Sequence, residues 1–230
     1  MCYHADITQR KGNYSMNSNL TEMVFILDRS GSMAGLESDT IGGFNAMVDK
    51  QKKETGEAYL TAVLFSDQSS FLYDRTDIRK AEPMTDQQYQ VGGCTALLDA
   101  LGSTIHHFAN IYRYARKEDI PGKTVFVITT DGMENASRFY SYEDVQRMVK
   151  HEQEKYGWEF LFLGANMDAI SAARSFGIRE DRAVRYKCDS AGTALNYSVL
   201  SKTIGKLRKG APIEAGWCAD ITEDIRRRGK

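Results

Sequence analysis

No sign of charge dominates this sequence: 30 lysines and arginines stand against 31 aspartates and glutamates in 230 residues. A protein that covers a phosphate backbone needs a basic surplus, so nucleic acid is not an expected partner. Long apolar runs are missing as well. None approaches the roughly 20 residues that span a bilayer, and no membrane association is expected. The first twenty residues, MCYHADITQRKGNYSMNSNL, lack the apolar core of a signal peptide. They read as a disordered leader over 1–20, with Met16 as a candidate start, and the expected location is the cytoplasm. Cysteine is sparse: Cys2, Cys94, Cys188 and Cys218 lie far apart, which fits neither a zinc knuckle nor a disulfide scaffold. His106 and His107 are adjacent, so on a helix they diverge instead of converging on one metal.

Strongly apolar segments begin at Met23. MVFILD (23–28) is a continuous apolar run ending in an acid, as in a strand buried on both faces. Residues 39–54 place Ile41, Phe44, Met47 and Val48 on one helical face. AYLTAVLFS (58–66) is a second strand. SSFLYDR (69–75) follows too soon for a crossover helix, which makes it an antiparallel edge strand. Residues 96–112 form a helix, TVFVITTD (124–131) a second acid-terminated strand, and Ser141 with Asp144 marks a helix start running to Tyr156. WEFLFLG (158–164) is a strand, 168–176 a short helix ended by Gly177, AVRYK (183–187) a weaker strand and 193–208 a final helix. This alternation predicts an α/β three-layer sandwich, Rossmann-like, whose mostly parallel sheet has helices on both faces. Ligands in such folds sit beyond the carboxyl ends of the strands, where both acids are delivered.

Asp28-Arg29-Ser30-Gly31-Ser32 leaves the first strand with three oxygen-bearing side chains at alternate positions. Gly92-Gly93-Cys94-Thr95 offers a hydroxyl at the start of the second major helix, and Asp131-Gly132 closes a later strand. Two carboxylates and three hydroxyls form a hard oxygen set that suits Mg²⁺, with Mn²⁺ close behind, better than zinc or copper. Asp-x-Ser-x-Ser alone is weak, because Asp and Ser also cap helices; Thr95 and Asp131 raise its weight. Gly42-Gly43 reads as a close helix–sheet contact. Gly122-Lys123-Thr124 mimics the end of a phosphate-binding loop but precedes a strand instead of following one. Trp158 and Trp217 read as packing residues, and Arg226-Arg227-Arg228 as a solvated terminus.

Asp28-x-Ser30-x-Ser32, Thr95 and Asp131, in the contexts VFILDRSGSM, GGCTALLDAL and VITTDGMENAS, resemble the metal-ion-dependent adhesion site of the von Willebrand factor A (VWA) family, intracellular bacterial type. The resemblance runs from about Thr21 to Gly210, implying a VWA domain over 21–210 and a C-terminal arm over 211–230. It implies strand order 3-2-1-4-5-6 with the third strand antiparallel. Ser30, Ser32 and Thr95 would supply hydroxyl ligands, with Asp28 and Asp131 holding the ion directly or through water. Met133, Glu134 and Asn135 border the site as a candidate partner-binding rim. The implied function is metal-dependent protein binding without catalysis, through a partner's Glu or Asp at an open coordination position, in a cytosolic multiprotein assembly or stress-response system. The alternatives are a Mg²⁺-dependent phosphoester hydrolase, which would want more carboxylates than Asp28 and Asp131, and a scaffold with an unused site.

Overall fold

The computed structural model describes residues 16–165 and 168–228. Six strands form one sheet: β1 (Asn17–Asp28), β2 (Glu57–Phe65), β3 (Ser69–Asp77), β4 (Pro121–Thr130), β5 (Glu159–Ala165) and β6 (Ala183–Tyr186). Their spatial order is β3-β2-β1-β4-β5-β6, with β3 antiparallel to β2 and the other pairings parallel. The fold class, strand order and direction agree with the sequence reading. The helices are α1 (Glu37–Gln51), α2 (Leu97–Tyr114), α3 (Tyr142–Tyr156), α4 (Ala169–Ser175), α5 (Ser190–Arg208) and α6 (Ala219–Arg228).

Alternation along the central strands assigns each helix its face. Met23, Phe25 and Leu27 share one core with Val125, Val127, Phe44 of α1 and Leu200 and Ile204 of α5. Val24 and Ile26 join Phe126, Ile128, Leu101 and Ile105 of α2 and Val145 of α3 in the other. A strand buried on both sides must be apolar at every position, which is why these segments read as unbroken runs. Gly43 of α1 lies so close to Tyr197 of α5 that an added methyl would sit 2.3 Å from the ring, so the close contact expected against the sheet is made instead between two helices, and a methyl on Gly42 would meet nothing within 4 Å. Trp158 is buried and stacks on Phe126.

Several boundaries differ from the sequence reading. β1 begins at Asn17, so residues 17–20 belong to the sheet and not to a leader; residues 1–15 lie outside the described residues. The Asn17 amide donates to Ile120 O, and Leu20 aligns with Glu57 of β2. This half of the strand is held by backbone pairing and is mostly polar, so it leaves no apolar signature. α5 starts at Ser190 because the Asp189 side chain accepts the Gly192 amide, capping the helix three residues early. The tail forms α6, which buries Ile221, while the Trp217 indole donates to Asp181 O. Arg228 is not solvated as expected: it pairs with Asp189 and Asp224. The Ser141–Asp144 capping box is present as read, with Ser141 Oγ accepting the Asp144 amide at 3.1 Å.

Glu152 of α3 is buried, and burial raises its carboxyl from an ordinary 4.5 to about 7, against a smaller opposing pull from Lys155. Its contribution to stability is present below pH 4.5, where both states are protonated. It is lost between pH 4.5 and 7, as the unfolded chain ionises and the folded one does not. Glu152→Gln is expected to flatten that part of the stability–pH profile and gain about 2 kcal/mol at pH 8. Urea unfolding at pH 5 and pH 8 measures both.

Candidate metal centre

The carboxyl end of β1 places Asp28 at the mouth between β2 and β4, with its side chain only 1% exposed. Asp28 Oδ1 accepts the Ser30 amide at 2.7 Å and Oδ2 accepts the Thr130 hydroxyl at 2.6 Å. Burial raises its pKa; the bonds to Thr130 and Ser30 oppose that rise, and Asp131 nearby adds to it. Among the described residues no lysine or arginine forms an ion pair with this carboxylate. A buried carboxylate held only by neutral donors is costly, and a bound cation is the usual remedy.

The other four predicted side chains surround the same point. Ser30 Oγ lies 3.1 Å from Ser32 Oγ, and Ser32 Oγ donates to Asp131 Oδ1 at 2.5 Å. Thr95 closes the ring from the α2 side: a methyl on Gly132 would fall 2.9 Å from Thr95 Oγ1 and 3.3 Å from Ser32 Oγ. Neighbouring ligands of an octahedral Mg²⁺, each about 2.1 Å from the ion, stand about 3 Å apart, so the serine spacing fits one coordination shell. Among the described residues no three His, Cys, Asp or Glu side chains gather as a metal cluster. The donors here are instead hydroxyls with two carboxylates, as a hard cation prefers.

Backbone bonds stitch the three segments together. Gly31 N donates to Gly93 O at 3.0 Å and Gly92 N to Arg29 O at 2.9 Å, while the Tyr89 hydroxyl donates to Asp28 O. Asn135 N donates to Thr95 O, and Thr95 N returns a bond to Asn135 Oδ1. The three rim residues therefore divide. Asn135 orients the threonine. Glu134 turns to the backbone, accepting from the amides of Leu98, Ala136 and Ser137 and from the Ser137 hydroxyl. Met133 stays exposed.

Thr130 was not singled out from the sequence. Its signal was a hydroxyl next to Asp131, one of two that follow the apolar run of the strand. Cys188, on the loop between β6 and α5, was also passed over; its Sγ lies 4.0 Å from Asp131 Oδ2. Burial, with the neighbouring acids adding to it, pushes this thiol up to about 11.

Gly132 is the position where size matters most. Gly132→Ala is expected to weaken Mn²⁺ binding about ten-fold by displacing Thr95 and Ser32, a cost of about 1.4 kcal/mol. Paramagnetic titration measures the change.

No family model and no curated protein sequence matches this chain. Solved structures match its fold. Proximal thread matrix protein 1 from the mussel byssus, with a zinc-occupied MIDAS motif, is similar at a TM-score of 0.56 and 18% identity, over 80% of this chain and 46% of that one. A von Willebrand factor type A protein from Catenulispora acidiphila gives 0.52 and 16%, over 80% and 42%. The pilus adhesin SpaC from Lactobacillus rhamnosus GG gives 0.58 and 11%, over 86% and 31%. The chain thus spans less than half the length of each of these proteins. At such identities the likeness shows a shared VWA-like α/β fold.

Proposed function

We propose that this chain is a VWA-type binding module, holding one divalent cation, Mg²⁺ or Mn²⁺, at Asp28, Ser30, Ser32, Thr95 and Asp131, and engaging a protein partner through that partner's Glu or Asp. The observation that carries this reading is the convergence of four oxygen side chains around a buried carboxylate, Asp28, that has no basic partner among the described residues. When bound, the cation would supply a positive charge with a coordination position open to an incoming carboxylate. The chain's own residues do the rest. Asp28, fixed by Thr130 and the Ser30 amide, anchors the inner side. Ser30, Ser32 and Thr95 contribute neutral oxygens, so Asp28 and Asp131 are the only anionic side chains set against the ion's charge before a partner arrives. Asp131 completes the ring at the partly exposed side.

The zinc-occupied MIDAS motif of the mussel protein supports the idea that a protein of this fold can carry a divalent ion. The all-oxygen donor set favours Mg²⁺ here. Catalysis is not part of the reading: the site has two carboxylates, and His107 pairs with Asp74 on the outside of α2. No helix among the described residues is long and apolar enough to cross a membrane. The resemblance carried by the site motifs supports a cytoplasmic bacterial setting, in a multiprotein assembly or stress-response system.

The test is affinity capture on the immobilised chain in Mg²⁺, with elution by chelator, beside Asp131→Ala. Proteins retained by the parent in Mg²⁺ and absent from the variant support the reading. An identical set on both contradicts it.

A further inference from the structure

Beside the proposed cation site, the loop 131–140 carries two large apolar side chains in water. Met133 is 74% exposed and Phe139 is 84% exposed. An isolated exposed apolar residue is ordinary, but the loop that holds these two is pinned at both ends. Glu134 accepts three amides and a hydroxyl, among them the Leu98 amide in the first turn of α2, and Ser137 Oγ accepts the Asp99 amide there. In return the Asp99 carboxylate accepts the amides of Arg138, Phe139 and Tyr140. The loop and the helix N-terminus cap one another. A segment fastened this way has given up the freedom to fold its apolar side chains inward, so they are displayed at little further entropic cost on binding.

The position of this display selects an occupant. Met133 follows Gly132, where an added methyl would fall 2.9 Å from Thr95 Oγ1 and 3.3 Å from Ser32 Oγ, and the Phe139 amide donates to Asp99 in the first turn of α2. Arg138, between them in sequence, is exposed and forms no ion pair among the described residues. A surface combining a cation site, two apolar side chains and a free guanidinium complements a segment that is acidic and apolar together.

We infer that Met133 and Phe139 form an apolar reading surface for a partner peptide in which the cation-binding Glu or Asp has an aliphatic or aromatic residue within a few positions of it. This inference rests on the metal-dependent reading above and adds the side chain that would distinguish one acidic partner from another. The carboxylate provides metal-dependent attachment common to any exposed acid. Packing on Met133 and Phe139 provides selectivity, since buried apolar anchors dominate such interfaces and truncating one typically costs ten-fold or more.

The test is selection from a random dodecapeptide display library on the immobilised full chain in Mg²⁺, eluted with chelator, in parallel with Met133→Ser/Phe139→Ser. Mn²⁺ titration of both proteins comes first. Equal Mn²⁺ affinity shows that the variant is folded with its site intact; if the variant binds Mn²⁺ poorly, Met133→Gln/Phe139→Gln replaces it. The expected result is enrichment of Glu or Asp with a nearby Leu, Ile, Met, Phe or Tyr on the parent. On the variant the acid preference stays, the apolar preference disappears, and parent-selected peptides bind at least ten-fold more weakly. Acidic peptides without apolar preference on the parent, the same apolar preference on both proteins, or no chelator-eluted peptides from a parent that binds Mn²⁺ would each overturn the inference while leaving the metal site standing. Failure of the parent to bind Mn²⁺ would remove the underlying reading instead.

Discussion

Asp131→Ala is expected to bind Mn²⁺ about a hundred-fold more weakly than the parent, a loss of about 2.7 kcal/mol, while unfolding in chelator at nearly the same urea concentration. Asp131 stands at the partly exposed side of the ring, bonded to the Ser32 hydroxyl and approached by the Cys188 thiol, and no backbone amide donates to it among the described residues. Its removal also relieves repulsion felt by Asp28. The variant therefore separates binding from folding. Mg²⁺ should raise the melting temperature of the parent, since a ligand that binds only the folded state stabilises it, and should leave the variant's unchanged. Asp28→Ala is a less informative choice. Asp28 also secures the Ser30 amide and the Thr130 hydroxyl, so its loss disturbs the loop as well as the ion.

The second large effect lies at the opposite end of the sheet. Glu22 of β1 is fully buried, with Oε2 accepting from Arg75 Nε at 2.9 Å and Oε1 without a partner among the described residues. Arg75 is held at φ 46°, in the left-handed region, with its guanidinium over the rings of Tyr59 and Tyr112. Even with this partner, burial raises the Glu22 carboxyl to about 7. Arg75→Met leaves a buried carboxylate without its cation and is expected to cost about 3–5 kcal/mol at pH 8. The loss should shrink at pH 5, where Glu22 takes up a proton. Glu22→Gln in the Arg75→Met background should recover much of the stability, because the uncompensated charge is then gone. A pH-independent loss that Glu22→Gln does not relieve would mean that the arginine acts through packing alone.

These two regions show what a sequence can and cannot make visible. That the five oxygen residues lie together was legible because the two acids end apolar strands and all five stand in motifs that resemble one family's site. The edge strand was legible because the three residues between β2 and β3 permit only a hairpin. Glu22 and Arg75 lie 53 positions apart, and their pairing depends on which strand neighbours which and on a bulged register between β2 and β3. Nothing local announces it. The same holds for Glu134, which reads as a rim residue, and for Asp99 of α2. Both are consumed in fastening loop to helix, a role set by backbone amides that carry no sequence signature. α6 escaped notice for a different reason: it is short, ends in three arginines, and has its position fixed by Ile221, Trp217 and the Arg228 pairs instead of by a broad apolar stripe.

The most direct measurement is a titration of the metal-free chain with Mn²⁺ followed by electron paramagnetic resonance, with Mg²⁺ as competitor. One Mn²⁺ bound per chain, displaced by Mg²⁺ and lost in Asp131→Ala, is the predicted result. A folded chain that leaves Mn²⁺ free in solution, or binds it equally well without Asp131, would contradict the assignment of these five oxygens to a cation.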